Sequence, residues 1–261
     1  MNYRAVIFDV DGTIVRGDTP IDGARVGLET AEDAGLNRLF VSNNPTKMPP
    51  AYQARLAHAG VTVTGDDVIT AGTATTTYLS EFHANEDIFL IGEPGVSTQF
   101  EEAGLSQTES VEQAETLVAS IDFNFSYQDL QDSLTILKDP SIPFIGTDPD
   151  IIIPTDHGDI PGSGAIIGAI ENVTNRSVEQ ICGKPSPYTA QLALDRLGNP
   201  DPSECLVVGD RLDTDILLGK NAGMTTVLVK TGVTDNTTLS ESDIQPDYVL
   251  ESLAEFDRVL Y

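Results

Sequence analysis

Ala5-Val6-Ile7-Phe8 leads at once into Asp9-Val10-Asp11-Gly12-Thr13, and these nine residues set the architecture. The apolar run is short and lacks a helical period, so it reads as a strand buried on both faces of a parallel sheet. Two carboxylates follow at a spacing of two, and Gly12 leaves the chain free to turn away. Open parallel sheets bind ligands at the carboxyl ends of their strands. Strand stability has no use for two acids there, and unpaired acids at a buried strand end cost free energy.

Three later segments repeat the pattern. Leu39-Phe40-Val41 ends in Ser42-Asn43-Asn44, which offers a hydroxyl and amides. Cys182-Gly183-Lys184-Pro185-Ser186-Pro187 sets one lysine just before a helical stretch, Tyr188 to Leu197. Cys205-Leu206-Val207-Val208 ends in Gly209-Asp210, with Asp213 and Asp215 close behind. Singly, each has an ordinary use. An Asp after a strand caps the next helix, Ser42 with Asn43 fits a turn, and a lone lysine is solvated. Ordinary structure does not account for all four in order along one inferred sheet edge.

In this order and wording the segments resemble the four motifs of the haloacid dehalogenase-like hydrolases, over nearly the whole chain. The nearest branch is the NagD-like, 4-nitrophenylphosphatase one. The resemblance implies an α/β fold, with a doubly wound parallel-sheet (Rossmann-like) core and an inserted α/β cap domain. It also implies a Mg²⁺-dependent phosphatase acting on small phosphorylated metabolites, such as a sugar phosphate or nucleoside monophosphate. Asp9 is then the nucleophile, forming an aspartyl-phosphate that splits one hard step into two. Asp11 protonates the leaving group and later takes a proton from water. Asp9, Asp210 and the backbone carbonyl of Asp11 hold the Mg²⁺, a cation that takes hard oxygen ligands. Asp215 works behind them, orienting Lys184 or a water. Ser42, Asn43 and Asn44 bind phosphoryl oxygens, and Lys184 supplies positive charge to the phosphoryl group. Asp213 is assigned to solvated surface. A phosphomutase using the same Asp-x-Asp pair and a non-enzymatic metabolite-binding protein are the alternative readings.

The 261 residues carry 41 acids against 14 bases, a formal charge of −27. The acids are spread along the chain, which excludes a disordered acidic tail, and a 40% apolar fraction supplies a core. An acidic, lysine-poor surface fits a salt-saturated cytoplasm, where counterions screen self-repulsion. No basic stripe exists to bind nucleic acid, and no apolar segment approaches a membrane span. The first strand begins within a few residues of Met1, so no signal peptide is expected, and the location expected is cytoplasmic. Cys182 and Cys205 are isolated, and each reads as a small buried hydrophobe. A homo-oligomer is compatible with the sequence.

Strand-like and helix-like segments alternate from the N-terminus to about residue 80 and again from residue 181, as in a doubly wound sheet. Residues 1–80 and 181–261 are therefore read as one sheet, which the resemblance makes the hydrolase core, and the resemblance implies that residues 81–180 are the inserted cap. Substrate choice is expected in the cap. Thr147-Asp148-Pro149-Asp150 resembles the branch's cap segment over the active site, where the family often has Asn at the position of Asp148. That departure leaves the roles of Asp148, Asp150 and nearby His157 open. Pro161-Gly162-Ser163-Gly164 fits either an anion-binding helix start or a plain cap.

Overall fold

The structure is a computed structural model that describes residues 3–155 and 157–261. It starts with β1 (Ala5–Asp9), a small hairpin of β2 (Val15–Arg16) and β3 (Thr19–Pro20), α1 (Ala24–Asp33), β4 (Asn37–Ser42), α2 (Pro49–His58) and β5 (Val68–Thr70). There follow α3 (Ala71–Phe82), β6 (Ile88–Ile91), α4 (Pro94–Glu102), β7 (Thr116–Ala119), α5 (Tyr127–Ile136) and β8 (Phe144–Gly146). Next come β9 (Ile152–Ile153), β10 (Ile160–Pro161), α6 (Ser163–Thr174) and β11 (Gln180–Ile181). The chain closes through α7 (Pro187–Arg196), β12 (Cys205–Gly209), α8 (Leu217–Ala222), β13 (Thr225–Val229), α9 (Asn236–Glu241), β14 (Tyr248–Leu250) and α10 (Asp257–Leu260).

Packing divides these elements into two compact units. The first holds the residues up to Ser42, Pro49–Ile69 and Lys184–Tyr261; the second holds Asn43–Met48 and Thr70–Gly183. The six-stranded sheet has the order β14-β13-β12-β1-β4-β5. All five residues of β1 are buried, as a central strand of a doubly covered sheet requires. It pairs in parallel with β12 on one side and β4 on the other. The chain leaves β1 toward β4 and later returns to its opposite flank. That reversal creates the crevice at which such sheets bind ligands. Phe8 stacks on Phe40 and packs against Phe256, fixing helices to one face of the sheet.

The second unit is built on a smaller sheet, β11-β8-β7-β6, with its observed pairs parallel. Its core includes Leu117, Phe144, Ile167 and Ile170. β9 and β10 form a separate antiparallel pair. Both cysteines are buried and free.

Helix α8 begins only at Leu217, two residues after Asp215. The preceding turn is π-helical: the Ile216 N–H reaches back five residues to the Arg211 carbonyl at 3.1 Å. A helical turn at Leu253–Glu255 and α10 are separated by Phe256, a fully buried ring held against Phe8. Among the described residues, no helix is long and apolar enough to cross a membrane.

Candidate active site

The sheet register brings the sequence motifs together. Asp9 ends β1 opposite Val41, one residue before Ser42 ends β4. Gly209 ends β12, and Asp210 follows it. Asp9, Asp210 and Asp215 each offer a carboxylate oxygen within 4.8 Å of the others, and all three are buried. Lys184 is buried among them. Its Nζ donates to Asp9 Oδ1 at 2.6 Å, Asp215 Oδ1 at 2.7 Å and the Val41 carbonyl at 2.9 Å.

Three buried carboxylates therefore share one buried ammonium. Burial raises the Asp9 carboxyl well above the usual range; Lys184 opposes this, and the Asp215 and Asp210 charges reinforce it. Burial likewise pushes Asp210 up to about 7, with Asp215 adding to the effect. Burial acts to lower the Lys184 ammonium, but the Asp215 and Asp9 charges outweigh it and the net shift is upward. The lysine is thus held charged, and three carboxyl groups share its single positive charge.

The hydrogen bonds separate the three acids. Asp215 has both oxygens engaged, by Lys184 and by the Arg211 N–H at 3.1 Å. Asp210 Oδ2 accepts from the Val233 N–H at 2.7 Å. Asp9 Oδ2 and Asp210 Oδ1 are buried with no hydrogen-bond partner. Orphaned carboxyl oxygens are expensive in a protein interior. Two of them, in a cluster of three carboxyl groups, match the donor set of a hard divalent cation. Gly12, at φ +92°, lies so close that a Cβ there would meet Asp210 Oδ2 at 2.5 Å. Close approach and positive φ both exclude a larger residue.

Asp11 lies outside that cluster, with its side chain 48% exposed. Its Oδ1 accepts from Arg55 Nη2 at 2.5 Å, and its Oδ2 from Ser42 Oγ at 3.2 Å. Ser42 Oγ in turn accepts from the Tyr52 hydroxyl at 3.0 Å. Asp213 is largely exposed and pairs with Arg211. Asn43 and Asn44 follow Ser42 in the chain but pack with the second unit. There Asn43 Nδ2 donates to Asp150 Oδ1 at 3.4 Å. Asn44 Oδ1 accepts from the Thr46 and Lys47 N–H groups, an Asx turn that shapes its own loop.

Within the second unit Asp148 is buried. Its Oδ2 accepts from Ser163 Oγ at 2.6 Å and Thr147 Oγ1 at 3.0 Å. Burial and the neighbouring Asp150 push its carboxyl up to about 7. His157 is exposed. The Gly162 and Gly164 N–H groups donate to the Ile151 and Asp150 carbonyls. Bonded to main chain, these two amides act as in a plain helix start.

Two residues escaped the sequence reading. Arg55 carried no motif, although its place three residues after Tyr52 on α2 puts both on one helix face. Gln99 is buried on α4 and donates from Nε2 to the carbonyls of Pro45 and Gly95, both at 2.8 Å. Buried glutamine is unusual enough to mark, but nothing in the sequence names its partners.

Known proteins place the chain in context. A haloacid dehalogenase-like hydrolase family model matches residues 6–106, and a second HAD-hydrolase-like model matches residues 181–256. An acid sugar phosphatase of Staphylococcus haemolyticus is 34% identical over 97% of this chain and 94% of its own length. The solved p-nitrophenyl phosphatase from Archaeoglobus fulgidus superposes with a TM-score of 0.91 at 33% identity, covering 99% of this chain and all of that one. NagD from E. coli K-12 superposes with a TM-score of 0.85 at 27% identity, over 98% of each chain.

Proposed function

The chain belongs to the haloacid dehalogenase-like hydrolases and is a phosphoric monoester hydrolase; we propose that it is a Mg²⁺-dependent phosphatase of small phosphorylated metabolites, working through an aspartyl-phosphate on Asp9. The observation that carries this reading is the buried trio of Asp9, Asp210 and Asp215 around Lys184, with one orphaned oxygen on each of Asp9 and Asp210.

Asp9, Asp210 and the backbone carbonyl of Asp11 would hold the cation. Bound there, it supplies the charge neutralisation that lets a carboxylate approach a phosphate dianion. In the first step an Asp9 oxygen bonds to phosphorus, the ester P–O bond breaks, and the leaving oxygen takes a proton from Asp11. In the second step water attacks phosphorus, the bond to Asp9 breaks, and Asp11 recovers its proton. Lys184, held by Asp215, contributes fixed positive charge to the phosphoryl oxygens. Ser42, with Asn43 and Asn44, supplies hydrogen bonds to the same oxygens. Substrate choice is assigned to the second unit, and the sugar phosphates named for the staphylococcal relative are the first class to assay.

The test is phosphate release from 4-nitrophenyl phosphate and a sugar-phosphate panel, by metal-stripped enzyme with and without added Mg²⁺. Acid-quenched enzyme should carry one phosphoryl group on the peptide containing Asp9. Asp9→Asn should fold and should release phosphate at less than about a hundredth of the wild-type rate. A variant retaining a tenth of that rate would rule out the covalent route.

A further inference from the structure

We propose that Arg55, assisted by Tyr52, is a positioning residue for Asp11, holding the carboxylate that exchanges the proton in a single orientation. This rests on the assignment of Asp11 as the proton-transfer group.

Asp11 is half-exposed and sits on a loop, where a short carboxylate side chain would rotate freely among its rotamers. Both oxygens are nevertheless held by groups that α2 controls. Arg55 is only 5% exposed. Its Nη2 donates to Asp11 Oδ1 and, at 2.7 Å, to the Gly17 carbonyl; its Nε donates to the same carbonyl at 3.1 Å. Its guanidinium lies 5.2 Å from the ring centroid of Tyr52, a fully buried side chain, a contact that further restrains the fork. Tyr52 then acts on the other oxygen through Ser42, whose hydroxyl accepts from Tyr52 and donates to Asp11 Oδ2. Only a planar fork reaches Asp11 and the Gly17 turn together; an ammonium on a flexible stem does not reproduce that geometry. The bland account is that Arg55 merely pins the β2–β3 hairpin through Gly17. The two accounts diverge in how a loss depends on the leaving group, because proton donation matters most when the leaving oxygen is basic.

The experiment measures kcat/KM for wild type, Arg55→Ala, Arg55→Lys and Asp11→Asn across substituted phenyl phosphates, with the fold of each checked by circular dichroism and Tm. Arg55→Ala should lower kcat/KM for phenyl phosphate by about tenfold or more, and for 4-nitrophenyl phosphate by about threefold or less. Arg55→Lys should fall between Arg55→Ala and wild type. Adding Arg55→Ala to Asp11→Asn should cost less than about twofold more, since the two residues act as one unit. If Arg55→Ala fails to fold, Arg55→Lys, which keeps the stem and the charge, carries the same comparison. An equal loss across the series for the Arg55 variants, beside a leaving-group-dependent loss for Asp11→Asn, overturns the proposal and leaves the role of Asp11 standing. A flat profile for Asp11→Asn removes the role of Asp11 and the proposal with it.

Discussion

Asp210 and Asp148 are both buried acids pushed upward to about 7, yet their surroundings give them opposite uses. Asp210 keeps one orphaned oxygen beside two other carboxylates, an arrangement suited to a cation ligand. Mg²⁺ should therefore stabilise the wild-type protein, by about 2.7 kcal/mol at a hundredfold excess over Kd. Asp210→Asn, which retains an acceptor for the Val233 N–H, should lose most of the Mg²⁺-induced rise in Tm. Equal shifts in both proteins would exclude Asp210 as a ligand. Asp148 instead has hydroxyl donors on one oxygen and the Asp150 N–H on the other, all from its own unit. Its folded carboxyl keeps a proton that the unfolded chain releases near pH 4. Between about pH 4 and pH 7 the native state thus binds more protons, so stability falls as pH rises through that window and levels off above it. Asp148→Asn removes this slope, worth up to about 4 kcal/mol. Urea midpoints at pH 5 and pH 8 should converge in the variant relative to wild type. Parallel pH responses would show that Asp148 titrates normally.

At the scale of elements, the short loop between β4 and α2 joins a strand of one unit to a helix of the same unit, yet packs with the other. Gln99 secures it through the Pro45 carbonyl. Replacing that side chain by a methionine of similar length leaves the carbonyl without its donor, at a cost of about 1–3 kcal/mol. Because the loop carries Asn43 and Asn44, Gln99→Met should raise KM severalfold while changing kcat little. An unchanged KM would separate the loop's packing from phosphate binding. The core strands and the order of the motifs were legible because their signals are local: apolar runs of fixed length, each ended by polar residues at the carboxyl edge. Arg55 and Gln99 were illegible because their meaning lies in partners 44 and 54 residues away, supplied by tertiary packing alone. The β2–β3 hairpin, with two residues per strand, is too short to show alternation. The delayed start of α8 reflects the π-turn, in which Asp215 spends one oxygen on the Arg211 N–H. A helical period continued through that turn hides it.

For the molecule as a whole, the governing quantity is 41 acids against 14 bases. Many of the bases are already committed to local pairs, such as Arg4 with Glu204, Arg25 with Glu29 and Lys220 with Asp247. Exposed pairs of this kind contribute little each and leave the remaining acids facing one another. Self-repulsion then opposes compaction over distances set by the Debye length, about 10 Å at 0.1 M salt and about 3 Å at 1 M. The same field slows the approach of a phosphate dianion. We therefore expect Tm and kcat/KM to rise together from 0.1 M toward molar KCl, at fixed saturating Mg²⁺. Two controls separate screening from site occupancy. The Mg²⁺ response should saturate, whereas the KCl response should continue as screening tightens. A phosphate ester of lower charge would feel a smaller barrier, so the salt effect on capture should scale with substrate charge. Halophilic adaptation requires Tm itself to climb with KCl. A flat or falling Tm would mean that the acids are spaced widely enough to tolerate dilute buffer, and the adaptation to a salt-rich cytoplasm would then be rejected without touching the chemistry at Asp9.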